Sequence, residues 1–493
     1  MTAAFGTDRR DAGEALRDPR IPRPPKRVPL LGDILTFRGD EPTGSALDYA
    51  AQLGPIFEFT FMGARYVVAA GADIVTDLND EKRFCKHLGP EMIALRILGG
   101  DGLFTAHNDE PHWRRAHDLL MPAFTQAAMR RYHPTMVDVG AELLDHWDAH
   151  AHAGTAAEVS GDTTRVTLET IGRCAAGYSF DAFASQRMHP FVDNMIAALR
   201  GSDRVGVLWA TYLPRFVAAG YERRVRRHAA NLHAIADDII AARRAEGLGH
   251  HDDLLELMLT PDADGGPRLD EANIRYQLIN FLIAGHETTS GALSFALYFL
   301  STHPEVFARA RAEVDEIWGD ARRPDFEQVA KLRYVRRVLD ESLRLQPTVP
   351  GYYRQARADT TLAGRYPIRK GQWVLALTGT LHRDPRWTGG GLAPVDQFDP
   401  DRFAPEHLRA RPGTLYKPFG TGERSCIGRQ FALHEAVLLL GLLIRRYDLI
   451  ADPDYRLTVT ERLTVLPKDF RLGLRRRGSQ PNCTPCARGS SEE

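Results

Sequence analysis

The chain has 493 residues, of which 43% are apolar and 26% charged, with 63 basic against 64 acidic side chains. That apolar content can bury a large core, which excludes a disordered or collagen-like polymer, and a formal charge of −1 gives no whole-molecule attraction to nucleic acid or anionic lipid. Five scattered cysteines, Cys85, Cys174, Cys426, Cys483 and Cys486, do not form the framework of a disulfide-stapled secreted domain and point to a reducing, cytoplasmic setting.

Residues 1–20 read as a polar arm, and Pro19 to Pro29 extends it, because proline removes the amide donor and fixes φ. No apolar stretch suited to a signal peptide occurs in the first thirty residues. Gly54 to Val68 alternates apolar and polar residues around Gly63, as a hairpin does. Helical periodicity then predicts Met129 to Trp147, Thr164 to Ala176, Tyr221 to Glu246, Asp270 to His303, Pro304 to Ile317 and Tyr334 to Leu345. Gly364 to Leu377 repeats the hairpin style, and Arg429 to Tyr447 is again helical. The longest apolar run, Ala436 to Ile444, is about half of the roughly 18 residues a spanning helix needs, so no membrane insertion is expected. Residues 476–493 read as a flexible tail, whose Cys483/Cys486 pair has CxxC spacing but neither a second pair nor a βαβ context. Between arm and tail no linker or repeat appears, so residues 21–475 are expected to form one mainly helical domain with small β-sheets.

Asp270 can cap its helix and Pro304 ends it; the ~33 residues between would span ~50 Å, so the helix must cross the domain. From Leu278 to Leu300 it is apolar around much of its circumference, the mark of a helix covered on all sides. At its middle, Gly285 and the threonines of Ala284-Gly285-His286-Glu287-Thr288-Thr289 weaken helix propensity, a place that can open to admit water. Ala284 and Thr288 share a face, and a buried alcohol beside the Glu287 acid can relay protons. The other reading is that these hydroxyls satisfy backbone carbonyls in a crowded core. His286-Glu287 imitates a zinc-protease motif, but Ser290 stands where the second histidine must be.

In Phe419-Gly-Thr-Gly-Glu-Arg-Ser-Cys426-Ile-Gly428, three glycines allow a tight loop whose amides converge on Cys426, with the next helix presenting its N-terminus there. Both effects would lower the thiol's pKa and suit Cys426 to be a metal ligand or a nucleophile. A nucleophile needs a base, and the neighbouring Arg424 cannot accept a proton, so the ligand role fits better.

That loop resembles, without a mismatch, the haem-thiolate signature of the cytochrome P-450 family. Ala284 to Thr289 resembles that family's oxygen-activating segment, Glu341-Ser-Leu-Arg344 its Glu-x-x-Arg helix, and Phe398 to Phe403 the segment whose arginine, here Arg402, completes a triad. The likeness covers roughly residues 20 to 475 and is closest to the haem domain of bacterial self-sufficient fatty-acid hydroxylases, through stretches such as Gly100 to Thr105 and Gln430 to Ala436. It implies a prism-like helical fold around a buried haem b. No reductase sequence follows, so electrons are expected from NAD(P)H through a separate ferredoxin or flavodoxin and its reductase.

By this resemblance Cys426 is the proximal thiolate, whose electron push favours O–O cleavage, and Thr288 with Glu287 delivers protons during O2 activation. Phe419 belongs to the cofactor loop; Trp113, Arg424 and His117 match propionate donors, although the family more often has arginine at 117. Phe104, Ala284, Val349 and Tyr352 align near the distal face, with Arg65 and Tyr66 at the channel mouth, where a substrate carboxylate would arrive. Ser202 to Tyr221 should lie over the channel. Arg114, Arg115, Arg130 and Arg131 border the proximal side and are candidates for an acidic redox partner, while the run Arg223 to His228 reads as a solvated helix face. The leading reading is a monooxygenase that hydroxylates a fatty acid; the alternatives are a tailoring oxygenase acting on a polyketide-like metabolite and a non-catalytic haem protein for sensing or electron transfer.

Overall fold

A computed structural model describes residues 20–36, 42–185 and 187–478. Almost all of the predicted polar arm and most of the predicted tail, with Cys483 and Cys486, lie outside the described residues.

The predicted helices are present. The Asp270 carboxylate accepts a hydrogen bond from the Asn273 amide and starts Glu271–Thr302, which ends as Pro304 opens Pro304–Trp318. Thr125 caps Gln126–Ala153, which stops at Gly154 in the left-handed region, φ 65°. Glu271–Thr302 is the central helix: it lies between Val159–Ala176 and Arg333–Leu345, with Arg429–Arg446 also against it. A Cβ at Gly285 would sit 2.8 Å from Ile171 Cγ1, so glycine is what lets Val159–Ala176 approach this closely. Polar ties cross the same seam: the Thr167 hydroxyl donates to the His286 carbonyl at 2.9 Å, and Thr163 and Ser294 hydroxyls meet at 2.9 Å.

A five-stranded sheet packs beside this helical layer in the order Ile56–Phe61, Ala64–Ala69, Trp373–Leu377, Gly351–Ala356, Phe84–Lys86. All its neighbours are antiparallel except Ala64–Ala69 with Trp373–Leu377. The hairpin around Gly63 is therefore as predicted, but the one read in Gly364 to Leu377 is not. Positive φ at Ala363 (48°) and Gly364 (67°) turns the chain one step earlier, so Tyr366–Ile368 pairs back onto Thr360–Leu362. The next turn is captured by Ala356, whose carbonyl takes the Gly371 amide and whose amide reaches Gln372 O, and Trp373–Leu377 passes into the large sheet.

Periodicity did not single out Pro42–Leu53, Ala72–Leu78, Pro90–Gly99, Pro111–Leu120 or Pro190–Ala210. The last takes up the first half of the segment expected over the channel. It packs on Pro90–Gly99 at Gly206, where a Cβ would meet Pro90 O at 2.3 Å and Glu91 Cα at 2.6 Å. Beyond it, the Tyr212 hydroxyl donates to Leu30 O at 2.6 Å, its amide to Met62 O at 3.1 Å, and its ring lies over Gly63. The segment is thereby latched to the hairpin tip.

Candidate active site

Gly420 (φ 69°) and Gly422 (φ 72°) take the backbone through the loop, and the Cys426 amide closes it on Phe419 O at 2.9 Å. Arg429–Arg446 begins directly after, with Gly428 as N-cap. Cys426 is accessible to solvent although protein crowds around it. Its acidity differs from the sequence expectation: burial pushes the thiol up, and the Gly428 amide and Arg429 only partly offset that. Coordination to a cation would deprotonate the thiol outright.

Between Gln277 and Leu297 the central helix is buried except at Ala284, Gly285 and Thr288, which are partly accessible. The predicted Ala284/Thr288 face therefore borders a cavity. The helix runs unbroken through Gly285, because the Thr288 hydroxyl donates to Ala284 O at 2.8 Å instead of opening the turn. Glu287 points into protein, 2% exposed as a residue, with Arg462 Nη1 at 3.6 Å; burial raises its pKa despite Arg462 and Thr464. His286 is fully buried, and burial holds it neutral with a pKa of about 4.

Around Arg424 cations converge. The Arg424 guanidinium lies 4.3 Å over the Trp113 ring and donates to Ala106 O at 2.7 Å; burial, with Arg354 and Arg114, brings it down to about 10. His117 stacks on Trp113 at 5.1 Å, with Nδ1 3.2 Å from Asp118. Lys86, which the sequence reading missed, donates to Phe104 O at 2.5 Å and is driven well below the usual lysine range by burial and by Arg424, Arg354 and Arg96. Arg96 is matched by Glu110, whereas Arg354 Nε is buried without a partner. Such crowding of like charge away from water calls for an anion. A lysine ending the short strand Phe84–Lys86 was the available signal, but its neighbours lie far along the chain.

Beneath the loop, Glu341 accepts Arg344 Nε and Nη2 at 2.6 and 2.7 Å and Arg402 Nε at 3.2 Å, all three side chains fully buried. Spare donors are used: Arg344 Nη1 reaches His382 O, and Arg402 reaches the carbonyls of Trp387, Ala393 and Pro394.

The expected pocket is reproduced unevenly. Phe104 and Val349 are partly accessible and exposed, respectively. Tyr352 turns away and donates to Asn79 Oδ1 at 2.8 Å; strand alternation brings Tyr353 to the other face, where it hydrogen-bonds Glu91. Arg65 does not stand open at the hairpin: Nε and Nη2 both reach the buried Glu58 at 2.6 Å, and Arg23 holds the other carboxylate oxygen. Tyr66 stacks on Phe59 at 4.7 Å. The sequence reading also missed Asp203, on Pro190–Ala210, which burial, Glu91 and Glu287 push up to about 7. Burial raises Glu91 against the hydrogen bond from Tyr353. The space between Pro90–Gly99, Pro190–Ala210 and the central helix thus carries acids.

On the outer surface Arg114 pairs with Glu423, Arg130 with Glu327 and Arg131 with Asp252, so the basic patch read from sequence is largely matched by acids. The arginines of the 223–228 run are exposed, as expected of a solvated face.

A helical domain with an accessible cysteine in a glycine-rich loop, a partly accessible threonine on an otherwise buried central helix and a buried Glu-Arg-Arg network define the class. The family profile described as Cytochrome P450 matches residues 22–473, and the chain belongs to that family. It is 40% identical over 462 residues to a bifunctional cytochrome P450/NADPH-P450 reductase of Bacillus cereus, covering 92% of this chain and 42% of that protein. It is 41% identical over 462 residues to a second protein of that description from Bacillus subtilis, and 35% identical over 477 residues to a self-sufficient cytochrome P450 monooxygenase of Phanerodontia chrysosporium. These matches cover 93% and 95% of this chain and 42% and 44% of those relatives. The chain thus spans less than half the length of the relatives it matches. Membership implies haem, and the donor set fits one: an accessible thiol, a buried cation cluster for two carboxylates, and a partly accessible face of the central helix. Among the described residues no helix is long and apolar enough to cross a membrane.

Proposed function

We propose that this chain hydroxylates a medium- or long-chain fatty acid in the cytoplasm, drawing electrons from NAD(P)H through a separate ferredoxin or flavodoxin and its reductase. The observation that carries the monooxygenase chemistry is the accessible Ala284/Thr288 face on an otherwise buried helix. Haem, when bound, supplies the chemistry of splitting dioxygen with two electrons and two protons. Cys426 would hold its iron, and Lys86, Arg424, Arg354 and the Trp113 indole would take its propionates. Thr288 would release the Ala284 carbonyl and hold a proton at Oγ1, with the Glu287 carboxyl, whose pKa burial raises, as the neighbouring acid of the relay. A proton relay of this kind has no use in a gas sensor or an electron carrier, which weighs against the non-catalytic reading.

A second reading, a tailoring oxygenase, is favoured by Glu91 and Asp203. With Arg65 already matched by Glu58, the acids beside the cavity suit a metabolite that carries a cationic amine on an apolar skeleton. One titration separates the two. After an absorbance near 450 nm for the reduced protein under carbon monoxide establishes thiolate ligation, C12 to C18 fatty acids and dodecyltrimethylammonium, a cation without a lone pair, are added to the oxidised protein. A blue shift of the Soret band with the acids supports the first reading. A shift with the ammonium probe alone replaces it by the second.

A further inference from the structure

Away from the cavity, the last turns of Gln126–Ala153 place His146 and His150 one helical turn apart, facing Asp162 on the first turn of Val159–Ala176. We propose that His146, His150 and Asp162 form a zinc-binding site that fastens these two helices together. One donor atom from each residue lies within 4.8 Å of the other two. His146 Nε2 and Asp162 Oδ1 are 3.2 Å apart, close to the edge of about 3.3 Å that a tetrahedron with bonds near 2.0–2.1 Å requires.

The atoms that would not touch the metal are already oriented. His150 Nδ1 is 2.9 Å from Thr155 Oγ1, a contact that leaves Nε2 free for the metal when the hydroxyl accepts, and the Trp147 indole donates to Asp162 Oδ2 at 2.9 Å. Hydrogen bonds of this kind fix tautomer and carboxylate orientation in zinc sites. Two imidazoles and one carboxylate suit zinc, whereas calcium and magnesium take oxygen shells. The side chains of His146 and Asp162 are 22% and 8% exposed, so the ion has a route in and a fourth position open to water. The bridge would span the reversal at Gly154 and hold Ala157–Glu158, which pairs with Arg471–Arg476 at the end of the domain.

The test uses the untagged, haem-loaded full chain with Cys483→Ser and Cys486→Ser, so that no thiolate pair in the tail competes. Chelator-stripped protein is dialysed against micromolar zinc chloride, and zinc is counted separately from haem iron. One zinc per chain is expected, with an increase in Tm. His146→Ala and His150→Ala, both partly accessible and so tolerant of substitution, should each weaken binding by more than the roughly 10- to 100-fold typical of losing an outer partner alone, and abolish the increase in Tm. Thr155→Val should weaken it about 10-fold. Retention of no zinc, or of equal zinc in both histidine variants, overturns the proposal.

Discussion

The Glu341-Arg344-Arg402 network and the region of Arg65, Glu91 and Asp203 solve opposite problems with charge. The network is fully buried, and its spare donors are taken by the carbonyls of His382, Trp387, Ala393 and Pro394, so each group has one arrangement. Around Arg65 and Glu91 other side chains supply partners: Glu58, shared with Arg23, for Arg65, and Tyr353, beside a backbone hydrogen bond, for Glu91. Side-chain pairs can exchange partners when a ligand arrives; a guanidinium bound to several fixed carbonyls cannot. Rigidity sits in the buried network, and adaptable charge around Arg65 and Glu91.

The comparison is broken most directly at the network. Glu341→Ala leaves two buried guanidinium groups with an uncompensated charge and should cost about 3–5 kcal/mol, read in urea unfolding and in loss of bound haem. Full stability in that variant would remove the contrast. Thr288→Ala should leave the fold and the substrate-induced Soret shift intact while product formation falls by about 10²-fold and NADPH oxidation continues, measured as product per NADPH. A smaller effect is expected at Asp203. Its carboxyl is held neutral up to about 7, so the folded state binds this proton more tightly than the unfolded chain, whose aspartate titrates near 3.8. Stability from this group is present below that lower value and is lost as pH rises through about 7. Asp203→Asn should therefore be more stable than the parent at pH 8, by about 1 kcal/mol, with no such advantage at pH 4, as Tm against pH would report. The smallest effect belongs to the surface. Glu423 and Glu327 already match Arg114 and Arg130, so the double change to glutamate should raise a ferredoxin's apparent Michaelis constant only several-fold and flatten its salt dependence. Unchanged kinetics would exclude these two arginines as partner contacts.

What could be read from the sequence follows the same division. The Cys426 loop, the central helix and the Glu341-Arg344-Arg402 set are written locally, as glycines, caps and short spacings. Lys86, Arg354, Glu91 and Asp203 were not legible, because each takes its meaning from residues on another element far along the chain. The acidity of Cys426 was misread for a related reason: amides and a helix terminus are visible in a sequence, whereas the surrounding protein that desolvates the thiol is not. The displaced hairpin after residue 360 was a matter of one turn, at Ala363-Gly364 instead of beyond Ile368.

The meeting of Tyr212 with the hairpin tip couples two stretches that would otherwise vary independently. A Cβ on residue 63 would come within 2.5 Å of the Tyr212 ring, and the Tyr212 hydroxyl is spoken for by Leu30. Exchanging the 61–65 tip alone for a bulkier one would collide with the resident 210–214 stretch. The two behave as one cassette, and libraries aimed at new substrates should randomise them jointly.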